Sequence, residues 1–236
     1  MRFIVPLFCL ALAGCVTTTQ QSPAPKSQPQ SQAKATPKLS GSAAARNFRA
    51  VVARVEPVAE RECRARTKGV NCDFDIRVDE RANQPANAFQ TLSKSGRPII
   101  VFNVALIGEA RNQDELAFVL GHEASHHIRQ HIAKQQQSAV AGALIAGVLA
   151  SIGGAGDAGI QTAQDLGGTV GARAFSKDME LEADSLGAVI AHKAGYNPRR
   201  GAEFFFRIPD PGDRFLGTHP PNAERRRAVN KVASQL

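Results

Sequence analysis

The run Gly121-His122-Glu123-Ala124-Ser125-His126-His127-Ile128 decides how this chain is read. It lies in a segment that opens at Asn112 and carries Leu116, Val119, Leu120 and Ile128 as apolar flanks. Asn112 followed by Glu115 is a capping-box start, in which the Asn side chain accepts from a free amide of the first turn. The pattern predicts a helix from Gln113 to about Lys134. On that helix His122 and His126 stand four apart and only about 40° offset, so their rings share one face. Two imidazoles so placed can chelate one tetrahedral zinc ion. Glu123, next to His122 around the helix, is set to reach a metal-activated water rather than the metal. It would take the water's proton as the oxygen attacks a carbonyl. This is the HExxH arrangement of zinc peptidases. His127 and His131 lie about 140° and 180° from His122 on the same helix, so neither is expected to reach the same ion. Both read as surface or second-layer histidines.

A catalytic zinc takes three protein ligands and keeps one position open. The candidates for the third lie in the run from Ser176 to Gly187, SKDMELEADSLG. Glu180 and Asp184 are four apart on one helical face. Glu180 can be the third ligand, and Asp184 can hold the far nitrogen of a ligand histidine. Glu182 is rotated about 200° from Glu180 and is expected to face elsewhere. The expected cofactor is one zinc ion per chain.

The N-terminus reads as an address. Residues 1–15, MRFIVPLFCLALAGC, have one Arg, a short apolar stretch and a small-residue run ending at Cys15. This resembles the lipobox of bacterial lipoproteins and implies a signal peptide over 1–14 with lipid on Cys15. Val16 follows, with no Asp to signal inner-membrane retention, which by resemblance to the sorting rules of enteric bacteria favours the outer membrane. Residues 15–42 are then a lipidated, disordered tether of Thr, Gln, Ser, Pro, Lys and Ala, and 43–236 the folded domain.

Composition narrows the remainder. Of 236 residues, 29 are basic and 21 acidic, and 12 Phe with one Tyr and no Trp make a poor platform for stacking bases. No nucleic-acid partner is expected. Cys63 and Cys72 remain once Cys9 and Cys15 are assigned to the address, and an even pair in an exported chain is most simply a disulfide.

Along the domain, helical periodicity covers Ala43 to Arg66, with Pro57 marking a kink or break. Strands are expected over 73–79, 87–92 and 97–102, and helices over 179–194, 199–207 and 222–232. A small early sheet followed by many helices is an α+β domain, mainly helical. The charge-free stretch AVAGALIAGVLASI, 139–152, is too short to span a bilayer. A core helix packed on the domain is expected, with an interfacial helix or a mobile cover over the cleft as alternatives. The surrounding glycines favour mobility.

HExxH followed by Ser176-Lys-x-x-Glu180-x-Glu-Ala-Asp184-x-x-Gly187 resembles the gluzincin peptidases of family M48, and the likeness covers about 43–236. Upstream, Asn87-Ala88-Phe89 resembles the strand this family places beside its cleft. Downstream, Thr218-His219-Pro-Pro-Asn-Ala-Glu-Arg225 resembles its H-P-x-x-x-x-R segment. The resemblance implies a zincin fold whose edge strand borders the active-site cleft. It implies that Arg225 steadies the oxyanion and that His219 lies near the zinc, capping it in some members. The lipobox points to the lipoprotein members that act in envelope quality control.

The expected function is therefore a lipid-anchored zinc endopeptidase that cleaves exported or misfolded outer-membrane proteins from the periplasmic side. Its partners would be unfolded or misassembled envelope proteins, the membrane through Cys15, and possible envelope assembly machinery. The competing reading is a chaperone or assembly factor that holds unfolded clients in the same cleft, with proteolysis secondary.

Overall fold

The computed structural model describes residues 41–174, 176–207 and 220–236. The expected signal peptide, Cys15, residues 16–40 of the tether and His219 lie outside the described residues.

Helix α1 (Gly41–Arg66) opens the domain and buries Phe48, Val51, Val55, Val58 and Cys63 on one face. The break for which Pro57 is one signal does not occur; the helix runs through it. Pro57 and Ala53 both lie on the exposed side, where water can take the carbonyl that loses its N–H partner. Cys63, near the end of α1, is bonded to Cys72, with the Cα atoms 5.7 Å apart. In the chain-entropy account, closing so short a loop stabilises by about 2–3 kcal/mol.

Three strands follow: β1 (Asp75–Asp79), β2 (Ala88–Leu92) and β3 (Pro98–Asn103). The sheet order is β1-β3-β2. β3 pairs parallel with β1, Ile100 opposite Ile76, and antiparallel with β2, Ile100 opposite Gln90. The central strand is nearly all buried, whereas β2 is an edge. A tight turn at Ser93–Gly96, with Gly96 at φ 78°, joins β2 to β3. At the far end Asn103 ties the hairpin down. Its Oδ1 accepts from Asn87 N at 3.0 Å and its Nδ2 donates to the Pro85 carbonyl at 2.6 Å. The same oxygen caps a short helix absent from the sequence reading, α2 (Val104–Glu109), by accepting from Leu106 N at 2.9 Å.

α3 (Gln113–Ile128) is the buried centre of the domain. Asn112 caps it, accepting from Glu115 N at 3.0 Å. The Glu115 carboxylate reaches back one residue further than a capping box requires, to Arg111 N at 2.8 Å, and also pairs with Arg207. The helix expected to continue to Lys134 stops at Ile128. Gln130 takes the left-handed conformation, φ 56°, and a new helix, α4 (His131–Ile152), leaves in another direction.

α4 and α5 (Asp157–Ala174) form an antiparallel hairpin. Its contact is made by small residues. A Cβ on Gly142 would lie 2.2 Å from the Gly167 carbonyl, and one on Gly171 would lie 2.1 Å from that of Ser138. Backbones this close exclude large side chains, so the larger residues of α4 turn outward. Val140, Leu144, Ile145, Val148, Leu149 and Ile152 are 58–79% exposed. The expectation that 139–152 packs its apolar stripe onto the domain is therefore not met. Gly167 and Gly168, expected to loosen this region, instead lie within α5 at the helix contact. No described helix is long and apolar enough to cross a membrane. The chain closes with α6 (Ser176–Lys193), α7 (Pro198–Gly201), a 3-10 turn (Ala202–Phe206) and α8 (Asn222–Ala233).

Candidate metal centre and cleft

Two glycines bring the centre together. α3 and α6 cross at Gly121 and Gly187, where a Cβ on either would lie 2.8 Å from backbone of the other helix. No side chain separates the helices here. Glu180, two turns before Gly187 on α6, is thereby held against His122 and His126 on α3. Gly187→Val is expected to push the helices apart, costing about 1–3 kcal/mol through overpacking. It should also lower bound zinc, checked by thermal unfolding and metal analysis of the same preparation.

The two ring Nε2 atoms of His122 and His126 face each other at 3.0 Å. Glu180 Oε2 is 3.5 Å from His122 Nε2, and its Oε1 is 3.4 Å from His126 Nε2. Ligands about 2.0–2.1 Å from a tetrahedral zinc are themselves about 3.3 Å apart. The three donors thus already stand at the edge lengths of a zinc site, and they form the one His/Cys/Asp/Glu cluster of this kind among the described residues. Their chemistry, two neutral-capable imidazoles and a carboxylate, also suits zinc.

The far nitrogen of each histidine is held. Asp184, fully buried, meets His122 Nδ1 at 2.9 Å. Arg225, from α8, grips the same carboxylate in a fork, Nε and Nη2 each at 2.8 Å. It lies 3.4 Å from Glu180 and stacks over the Phe205 ring at 3.9 Å. Burial alone would depress the His122 pKa, but the Asp184 and Glu180 carboxylates reverse this and raise it to about 10. His126 goes the other way, to about 3, through burial and the positive His122 beside it. Its ring stays neutral, with a lone pair to offer.

His131 and Glu182 sit elsewhere than their helical rotation suggests. The turn at Gln130 swings His131 back, and its Nδ1 lies 2.9 Å from His126 Nδ1. Glu182, expected to face away, reaches His131 Nε2 at 3.4 Å. His127 is not on the surface either. It is buried, its Nε2 donating to the Asn71 carbonyl at 2.7 Å and its ring edge-on to Phe74. No Gly or Pro marks the helix break, so periodicity alone had no signal for it.

A cleft of about 530 Å³ opens over the centre. Asn87, Ala88 and Phe89 line one wall, Phe204 and Phe205 another, and His122, Glu123, His126, Glu180 and Arg225 the floor. Phe89 is 43% exposed. Burial raises the Glu123 carboxyl to about 6, against the opposing pull of His122 and, more weakly, of Arg225 and the Gln90 backbone amide of β2. The base candidate and the edge strand thus line the same cleft.

The profile of one protein family, Peptidase family M48, matches residues 45–233. Among curated proteins, the chain is 29% identical to the beta-barrel assembly-enhancing protease of Yersinia pestis over 65% of this chain and 34% of that protein. It is 28% identical to the protein of the same name from Escherichia coli K12, again over 65% of this chain and 34% of the other. It is 30% identical to the mitochondrial metalloendopeptidase OMA1 of Arabidopsis thaliana over 54% of this chain and 26% of that protein. The chain thus spans about a third or less of the length of these relatives.

Proposed function

The chain belongs to peptidase family M48, and we propose on that premise that it is a zinc endopeptidase acting on exported or misfolded envelope proteins. The observation that carries the reading is the spacing of His122 Nε2, His126 Nε2 and Glu180 at 3.0–3.5 Å, with Glu123 on the cleft floor. A zinc ion held by these three would polarise a scissile carbonyl and acidify a water.

The chain's own residues supply the other parts. Glu123, its pKa lifted to about 6 by burial, is basic enough to take a proton from water near neutral pH and acidic enough to return it to the leaving amine. Arg225 brings a fixed positive charge to the cleft floor, where it would steady the developing oxyanion. β2 offers the edge next to Glu123, and an extended substrate strand would pair along Asn87–Phe89, backbone giving affinity and pockets giving selectivity. His219 would lie at the same centre and cap it in a resting state.

The proposed location is the periplasmic face of the outer membrane, through lipid on Cys15 and the tether of residues 16–40, which ends where α1 begins at Gly41. Two observations support it. Relatives at 28–29% identity carry the name beta-barrel assembly-enhancing protease, which also supports assembly intermediates as substrates and assembly machinery as a partner. The outward apolar face of α4 is of the kind that marks a membrane or protein contact.

The test is purified chain with an unfolded envelope protein. One zinc per chain is expected, with cleavage that stops on chelation and returns with zinc, and His126→Ala should lack both metal and cleavage. Capture of the unfolded protein without cleavage at full zinc occupancy would replace this reading with the chaperone one.

A further inference from the structure

The two ligand histidines are supported by different chemistry. His122 rests on the carboxylate of Asp184, itself clamped by Arg225. Among the described residues no carboxylate meets the far nitrogen of His126; that nitrogen faces the ring of His131 at 2.9 Å. His131 is buried, at 4% exposure, with its ring edge-on to that of His126, and its other nitrogen points to Glu182 at 3.4 Å. Glu182 is half-exposed and also lies 3.8 Å from Lys134.

We propose that His131, backed by Glu182, is the positioning residue for His126, forming a His126–His131–Glu182 relay that sets the tautomer and angle of the second metal ligand. This rests on the zinc reading above. For His126 to offer Nε2 to the metal, its proton must sit on Nδ1. His131 Nδ1 must then accept that proton's hydrogen bond, which leaves the His131 proton on Nε2, aimed at Glu182. One assignment satisfies all three groups. His131 is delivered by the left-handed Gln130 that starts α4, and Glu182 by α6, some fifty residues further along the chain. Had α3 continued, His131 would stand half a turn away from the ligand face. An imidazole acceptor is a softer support than the carboxylate behind His122. It ties the second ligand to the root of the α4–α5 hairpin, since His131 is the first residue of α4.

The experiment is zinc affinity by competition with a chromophoric chelator, with the visible spectrum of the cobalt(II)-substituted protein as a second readout. His131→Phe keeps the ring shape and removes the acceptor. It is expected to bind zinc about 10–100-fold more weakly, the usual loss for such outer partners, and to shift the cobalt bands. His131→Asn, whose amide oxygen falls near the lost Nδ1, should recover affinity to within about threefold of wild type. A folded His131→Phe that matches wild type in affinity and spectrum overturns the proposal, as does His131→Asn as weak as His131→Phe. If His131→Phe does not fold, Glu182→Ala decides: several-fold weaker zinc supports the relay, and unchanged affinity and spectrum overturn it. Failure of the underlying reading looks different. There the wild type itself binds no zinc, or His126→Ala binds it as tightly as wild type, and the relay falls with the centre.

Discussion

Glu123→Gln will leave a chain that folds and takes up zinc but cleaves an unfolded substrate about 10²–10⁴-fold more slowly, the range for loss of a positioned base. The side chain is buried on the cleft floor and is not one of the three clustered donors. The amide is nearly isosteric with the carboxyl, so packing should hold. What is lost is the ability to accept a proton. Burial holds the Glu123 pKa near 6, so the carboxylate dominates above that pH and activity should fall as pH drops through it. The checks are kcat/KM from peptide cleavage with metal content measured in parallel. Equal cleavage by wild type and variant at equal zinc would remove Glu123 from the base role.

Arg225→Ala should be among the most destabilising single changes in the domain, at about 3–5 kcal/mol, the cost of breaking a buried ion pair from one side. The Asp184 carboxylate it grips is fully buried, and without the fork would keep only His122 as its main support. The effect has a pH signature. Burial pushes the Asp184 pKa up, but His122 and Arg225 outweigh it and hold it below the usual carboxylate value. A depressed carboxylate adds stability above its unfolded pKa, and that stability disappears as pH falls through the lower folded value. Arg225→Ala should therefore cost most at neutral pH and progressively less in acid. Urea unfolding at several pH values checks this. A loss independent of pH would mean that Arg225 acts through its packing on Phe205 rather than through its charge.

Much of this protein is written locally. The spacing of His122 and His126 places both on one helical face because a helix repeats every 3.6 residues. The Glu180-to-Asp184 interval does the same on α6. Asn112 announces the helix start through side-chain chemistry that needs no tertiary partner, and the leftover pair Cys63 and Cys72 announces the disulfide that the structure contains. The strand ends shift by one or two residues, and β2, with Ala88 and Phe89, runs at the sheet edge beside the centre.

What the sequence could not state is where backbones meet. Gly121 and Gly187 look like ordinary helix residues until the crossing of α3 and α6 removes all room for a Cβ. The break at Gln130 carries no proline or glycine, so only packing puts it in the left-handed region and brings His131 to His126. The apolar run of 139–152 has a clear helical period, but its glycine and alanine face is taken by α5 and its large residues are left outside. Periodicity identifies a face, and the partner that covers it is chosen by contacts between residues far apart in the chain. Local geometry thus determined the helical faces that carry the donors and the donor types, whereas tertiary packing decided which donors converge and which histidine stands behind them.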